Sequence, residues 1–317
     1  VSSDLDSTDL PRLDSKTCSI PTQHTVNIII KADNPVFSNL LDKKKNVSPK
    51  DSIAVAAISG DVAAVAQELD DAGIEVSSPE EAAAVAEAIV STAVSSAKPS
   101  DSAETTEVAT NTVIQAIAGI AADTETNIVE VVEAASSGAT AGAVEAAVEA
   151  GANSQQVAAA VESASSGATS GAVQAAVDTG TDAIDVAEAA SSGATSGAIE
   201  AAVDTGSSVT DAAEAASSGS TTGAIEGAEA SGADVNTVAD AASAGATTGA
   251  VEGAESSGAN VTDVVDAATT GSNDAQDAAG TNTDTDTGEG PVVTPEPEDD
   301  PSVQVPSESD RSPENRG

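Results

Sequence analysis

The chain has 317 residues, with 53 Asp and Glu against 10 Lys and Arg, a formal charge of -43, and it holds no Trp, Tyr or Met, one Phe, one His and one Cys. So few large side chains cannot line a ligand pocket or fill a thick core, which points away from an enzyme. The charge repels phosphate backbones and anionic lipid, the single Cys cannot staple the chain to itself, and no apolar run reaches the roughly 20 residues of a membrane span.

Residues 1–47 differ from the rest. His24 to Ile30 (HTVNIII) has strand composition, and Leu40 to Asn46 (LLDKKKN) is the only basic cluster, so this stretch reads as an irregular arm or cap. The opening at Val1, with no Met and no basic-then-apolar leader, reads as a fragment or processed product.

Residues 48–137 read as the helical start of an array. Two 13-residue segments end at Gly60 and Gly73, the first with Ser48 as cap and Pro49 in the first turn. Ser78-Pro79-Glu80-Glu81 is a capping box before an Ala- and Val-rich helix, and two further helices follow before Gly138.

Residues 138–272 are periodic. Glycines fall every 13 residues from Gly167 through Gly180, Gly193, Gly206, Gly219, Gly232, Gly245 and Gly258 to Gly271, and paired halves give a 26-residue unit. An earlier copy from Gly138 carries a three-residue insertion at about Asn153-Ser154-Gln155. Each half predicts one short helix. In the first, Thr169 or Ser170 caps, Val173, Ala176 and Val177 form the apolar stripe, and Gly180 stops; in the second, Thr181 or Asp182 caps, Ala183, Val186, Ala187 and Ala190 form the stripe, and Gly193 stops. Such short helices persist only if neighbours bury one another's stripes, so the predicted fold is all-α, an α-solenoid of short helix pairs. A β-solenoid fits the helical spacing of the acids poorly. A fully disordered anionic linker is the competing reading, because Gly, Ser, Thr, Asp and Ala also build unfolded low-complexity chains. From about Asn273 the helical pattern is expected to stop, leaving 273–317 as a disordered, acidic, Pro-rich tail.

Ile58 to Val76 and Ala242 to Val264 resemble the helical part of ankyrin repeats: an Ala-rich first helix, a small turn at Gly60 or Gly245, a Val-centred second helix, and a closing Gly232-Ala233-Asp234-Val235-Asn236. The 26-residue unit lacks that family's hairpin and Thr-Pro-Leu-His motif. The resemblance implies protein binding without catalysis.

Candidate chemistry is sparse. His24 and Cys18 lack the partners a zinc site or nucleophile pair needs. Carboxylates recur at the repeat period: Glu162, Glu188, Glu214, Asp240 and Asp266 form one row, and Glu145, Glu200, Glu226 and Glu252 a second, interrupted by Gln174. Such ladders suit diffuse divalent cations or a basic protein rather than a dedicated calcium cage, and the Asp284–Gly288 stretch lacks a closing Glu. The Gly-xxx-Gly pairs Gly193/Gly197 and Gly245/Gly249 predict close backbone approach between helices. Thr169, Thr195, Thr221 and Thr247 form a threonine row, placed for capping rather than on a flat ice-binding face. Asn46-Val-Ser48 and Asn260-Val-Thr262 are glycosylation sequons. The expectation is a non-enzymatic, extracellular or surface-associated structural and interaction protein, an acidic spacer; the alternatives are a scaffold for a basic protein or divalent cations, and a disordered linker.

Overall fold

The computed structural model describes residues 49–97 and 102–281. The expected strand at His24–Ile30, the basic cluster Lys43–Lys45, Cys18, Ser48 and the tail from residue 282 lie outside the described residues. Among the described residues the structure is all-helical and solenoid-like, with ten helices in one compact unit. They are α1 (Pro49–Ile58), α2 (Val62–Asp71), α3 (Pro79–Ser96), α4 (Ser102–Asp123), α5 (Ile128–Glu149), α6 (Ser154–Thr179), α7 (Ala183–Thr205), α8 (Val209–Ser231), α9 (Val235–Ser257) and α10 (Val261–Ala279).

Local chemistry sets most of the ends. Ser78 caps α3 by accepting from the Glu81 amide, while the Glu81 carboxylate reaches back to the amide and hydroxyl of Ser77. Asp182, Ser208, Asp234 and Asn260 cap α7 to α10, each two residues after a glycine in the left-handed conformation (Gly180, Gly206, Gly232, Gly258). At Gly206, with φ of 72°, that conformation lets the amides of Gly206 and Ser207 close on the last carbonyls of α7.

The expected short helices in 13-residue segments occur at α1 and α2, each of 10 residues, where Gly60 and Gly73 both take positive φ. In the repeats they do not. Gly167, Gly193, Gly219, Gly245 and Gly271 lie inside α6 to α10, so each 26-residue unit is one helix of about 23 residues, roughly 34 Å long, and one tight turn. Thr169 and Ser170 are buried mid-helix rather than capping. The residues just after each glycine decide between the two outcomes: Gly180-Thr-Asp supplies a capping side chain, whereas Gly193-Ala-Thr-Ser-Gly continues into a helix seated on its neighbour. The inserted residues lengthen α6 to 26 residues at its start, where Asn153 and Gln156 form a reciprocal capping box. Nor does the helix stop at Asn273: α10 runs on to Ala279 and ends at Gly280, with φ of 68°.

Consecutive helices are antiparallel, but the most extensive packing is between each helix and the one two along. Two layers result, α3, α5, α7 and α9 in one, α4, α6, α8 and α10 in the other. Glycine makes this stacking possible. Gly219 and Gly223 of α8 rest on the backbone at Glu162 and Ser166 of α6; Gly245 and Gly249 of α9 rest on Glu188 and Ser192 of α7. Both members of each pair advance together, so stacked helices are parallel. A side chain at these glycines would collide with a backbone carbonyl, so the expected close approach of Gly193/Gly197 and Gly245/Gly249 is realised, against Glu133/Ser137 and Glu188/Ser192. Carbonyl oxygens facing glycine Cα atoms are the arrangement in which Cα–H···O contacts form.

The core is correspondingly small-grained. Val173, Val186 and Ile199 are buried, while Val177, Ile184 and Val203 are 41%, 38% and 37% exposed. The expected stripe therefore loses Val177. Ala164, Ala168, Ala172, Ala190, Ala194 and Ala198 are fully buried, so cohesion comes from many short-range dispersion contacts at backbone distance rather than from large side chains.

Candidate functional site

The acidic row and the glycine seats are the same places on the helix. Glu162, Glu188 and Glu214 each lie five residues before their own helix's central glycine, and each gives its backbone carbonyl to the central glycine two helices on: Gly219, Gly245 and Gly271. Their side chains, with Asp240 and Asp266, remain exposed. A seat must be bare at the backbone, and a long acidic side chain leaves the contact by pointing out to water.

The two-layer arrangement splits the expected single ladder. Glu162, Glu214 and Asp266 lie on α6, α8 and α10, and Glu188 and Asp240 on α7 and α9. Two open grooves result. One, of about 530 Å³, is lined by Glu162, Asp211, Glu214 and Asp274 with Ser154 and Ser218. The other, of about 440 Å³, has Glu133, Asp185 and Glu188 with Asn127, Ser192 and Thr248. Gln276 Nε2 donates to Asp240 Oδ1 over 3.2 Å, tying α10 to α9.

Glu133 extends the α7/α9 row by one step and was missed by the sequence reading, although the five-residue spacing to Gly138 marks it. Among the described residues it is one of three carboxyls held above the ordinary value. Burial raises Glu133 first, then the charges of Glu252 and Glu130, against a hydrogen bond from Ser192. Burial also leads at Glu107, followed by Glu226 and Glu104, and at Glu145, followed by Glu87, Glu149 and Asp204. Glu107 has no periodic signal in the sequence. In the second row, Glu200 Oε1 accepts from Ser256 at 2.6 Å. Gln174, the neutral interruption, donates to Ser170 Oγ and accepts from Gln115.

The threonine row is interior. Thr169, Thr195 and Thr221 are fully buried with no hydrogen-bond partner for their hydroxyls, and Thr247 is half-buried and donates to the Ser243 carbonyl. None of the four caps a helix, and the first three are closed off from water. Asn260 of the second sequon caps α10, its Oδ1 accepting from the Thr262 amide at 3.1 Å; the first sequon lies outside the described residues.

Lys50 is the only Lys or Arg among the described residues, which contain no His or Cys. Among them no three carboxylates converge as a metal ion requires, and no helix is long and apolar enough to cross a membrane. The grooves offer acceptors and charge, and in the second Ser192 Oγ donates to Glu133 Oε1 over 3.4 Å. No known protein family matches the chain, and no curated protein matches it.

Proposed function

We propose that this is a non-enzymatic structural protein, an acidic helical spacer that acts on a cell or particle surface or as a secreted element. The observation that carries this reading is the repeated seat: the same glycine-on-carbonyl contact joins α6 to α8, α7 to α9 and α8 to α10, so length is added by one rule. Open grooves of small and acidic residues, with no enclosed pocket among those described, support a role in spacing and solubility rather than turnover. A 26-residue unit without cationic side chains also gives trypsin no target between Lys98 and Arg311, which suits an exposed location.

A second reading, a scaffold for a basic protein or divalent cations, is favoured by one feature, the four carboxylates along the α6/α8/α10 groove. The protein-binding role implied by the ankyrin resemblance belongs here. Titrating Ca²⁺, Mg²⁺ and NaCl at matched ionic strength while recording helix content separates the two. A spacer gains order equally from all three by screening. Saturation by micromolar Ca²⁺ alone, or stoichiometric capture of a basic protein at physiological salt, would replace the spacer reading with the scaffold.

A further inference from the structure

The stack ends asymmetrically. On α6 and α7 the seat that receives the next parallel helix is built from small residues: Ser165, Ser166, Thr169, Ser170 and Val173 on one, Ser191, Ser192, Thr195, Ser196 and Ile199 on the other. Under the glycines of α8 and α9, Ser166 and Ser192 are only 6% and 4% exposed. The final helix, α10, has lost this surface. Thr270, Asp274 and Asp277 stand where α6 has Ser166, Ser170 and Val173, all three are exposed, and Ala275 replaces the second glycine. No helix can approach such a face at backbone distance.

The last helix of the other layer has kept it. On α9 the same positions are Ser243, Ala244, Thr247, Thr248 and Val251, which keep small residues throughout, with Thr248 one methyl larger than Ser196 and Val251 one smaller than Ile199; the Thr248 hydroxyl donates to the Ala244 carbonyl. Ala244 and Thr248 are exposed, and Val251 is partly exposed where Ile199 is fully buried. A small-residue seat like those that bind a helix elsewhere in this molecule is thus uncovered among the described residues.

We propose that this seat docks a helix of another protein, one that carries two glycines four residues apart and Lys or Arg along its flanks. The glycine requirement comes from continuity with the internal interfaces, where a glycine reaches the first carbonyl of every seat and a second glycine four residues on reaches the next, except on α10, where Ala275 takes the second place. The basic flanks come from the rim, formed by Asp240, Glu252 and Glu255 in a region without Lys or Arg. Residues 1–48 contain no glycine, and Gly288, Gly290 and Gly317 of the C-terminal segment are not four apart. In a second copy, the pairs Gly138/Gly142, Gly167/Gly171, Gly193/Gly197, Gly219/Gly223 and Gly245/Gly249 are already seated. The proposal rests on the fold and not on the spacer reading.

The test uses the full chain and a fluorescent peptide with the α7 sequence, its Asp and Glu replaced by Lys. Saturable binding is expected, weakened at least about tenfold by Ala244→Leu, which overfills the seat, and unchanged by Gln67→Leu at the far end. A peptide of the same charge with both glycines replaced by Leu should lose binding to the same degree. Equal binding of the two peptides, or of Ala244→Leu and the parent chain, would reduce the contact to charge attraction and overturn the proposal. So would no binding, binding that appears only after residues 282–317 are removed, or a self-association that Ala244→Leu abolishes. The last two would assign the seat to the tail or to a second copy.

Discussion

Gly193 lies against the backbone carbonyl of Glu133, two helices earlier in the chain, with no room between them for a β-carbon. The same residue type thirteen positions later, Gly206, ends α7 in a left-handed conformation with nothing within 4 Å of its missing side chain. Two glycines of one repeat therefore do opposite work, one inside a helix and one outside it.

Substitution separates those roles. Gly193→Ala places a methyl group against backbone that cannot rotate away, and about 3 kcal/mol of destabilisation is expected, exceeding the helix-propensity gain of about 1 kcal/mol. Gly206→Ala is strained only in its own φ and should cost about 1 kcal/mol. Equilibrium urea unfolding of the two variants checks the order; a stabilised Gly193→Ala would mean that α7 does not touch α5 there.

How legible this was from the sequence depends on which glycine is read. The period, the Gly180-Thr-Asp turn and the Gly193/Gly197 approach could all be taken from spacing and residue chemistry, and so could the acidic row. The central glycines could not be told from turns by period alone, because glycine is also common at helix ends. What distinguishes them is the second glycine four positions later, which Gly167, Gly193, Gly219 and Gly245 have and Gly180, Gly206, Gly232 and Gly258 lack; a capping residue type stands two positions after both sets. The split of the acidic row into two columns was hidden for a related reason: it depends on which helices stack, a tertiary fact. Glu107 was illegible altogether, since its half-buried state comes from packing rather than from any repeat.

The buried hydroxyls invite a test of opposite sign. Thr195 Oγ1 is fully buried without a partner, so Thr195→Val keeps the shape and removes an unsatisfied polar group. Stabilisation by about 1 kcal/mol is expected. Ser217 is the control, because its hydroxyl donates to the Ala213 carbonyl at 2.8 Å, and Ser217→Ala should destabilise by about 1 kcal/mol. Thermal melts of the two variants should move in opposite directions.

Acidity should strengthen the fold before it weakens it. Glu107, Glu133 and Glu145 have folded pKa values above the ordinary 4.5, so the folded chain binds more protons than the unfolded one between the two values. Stability from these groups is absent at neutral pH, grows as pH falls through the raised values, and is complete below 4.5. Glu81 and Asp234 act in reverse, because hydrogen bonds from Ser77 and Thr237 lower them, and their contribution is lost in more acid solution. Melting temperature is expected to rise from pH 7 towards pH 4.5 and to fall below about 3.8. Glu133→Gln should raise it at pH 7 and flatten the rise.

The most direct measurement is residue-resolved NMR of the glycines in residues 138–281, combining Cα chemical shifts with amide exchange. Stacked long helices predict helical shifts and slow exchange at Gly167, Gly193, Gly219 and Gly245, with left-handed shifts at Gly180, Gly206, Gly232 and Gly258. Left-handed shifts and fast exchange at both sets would make every thirteenth residue a turn and contradict the stack of long helices.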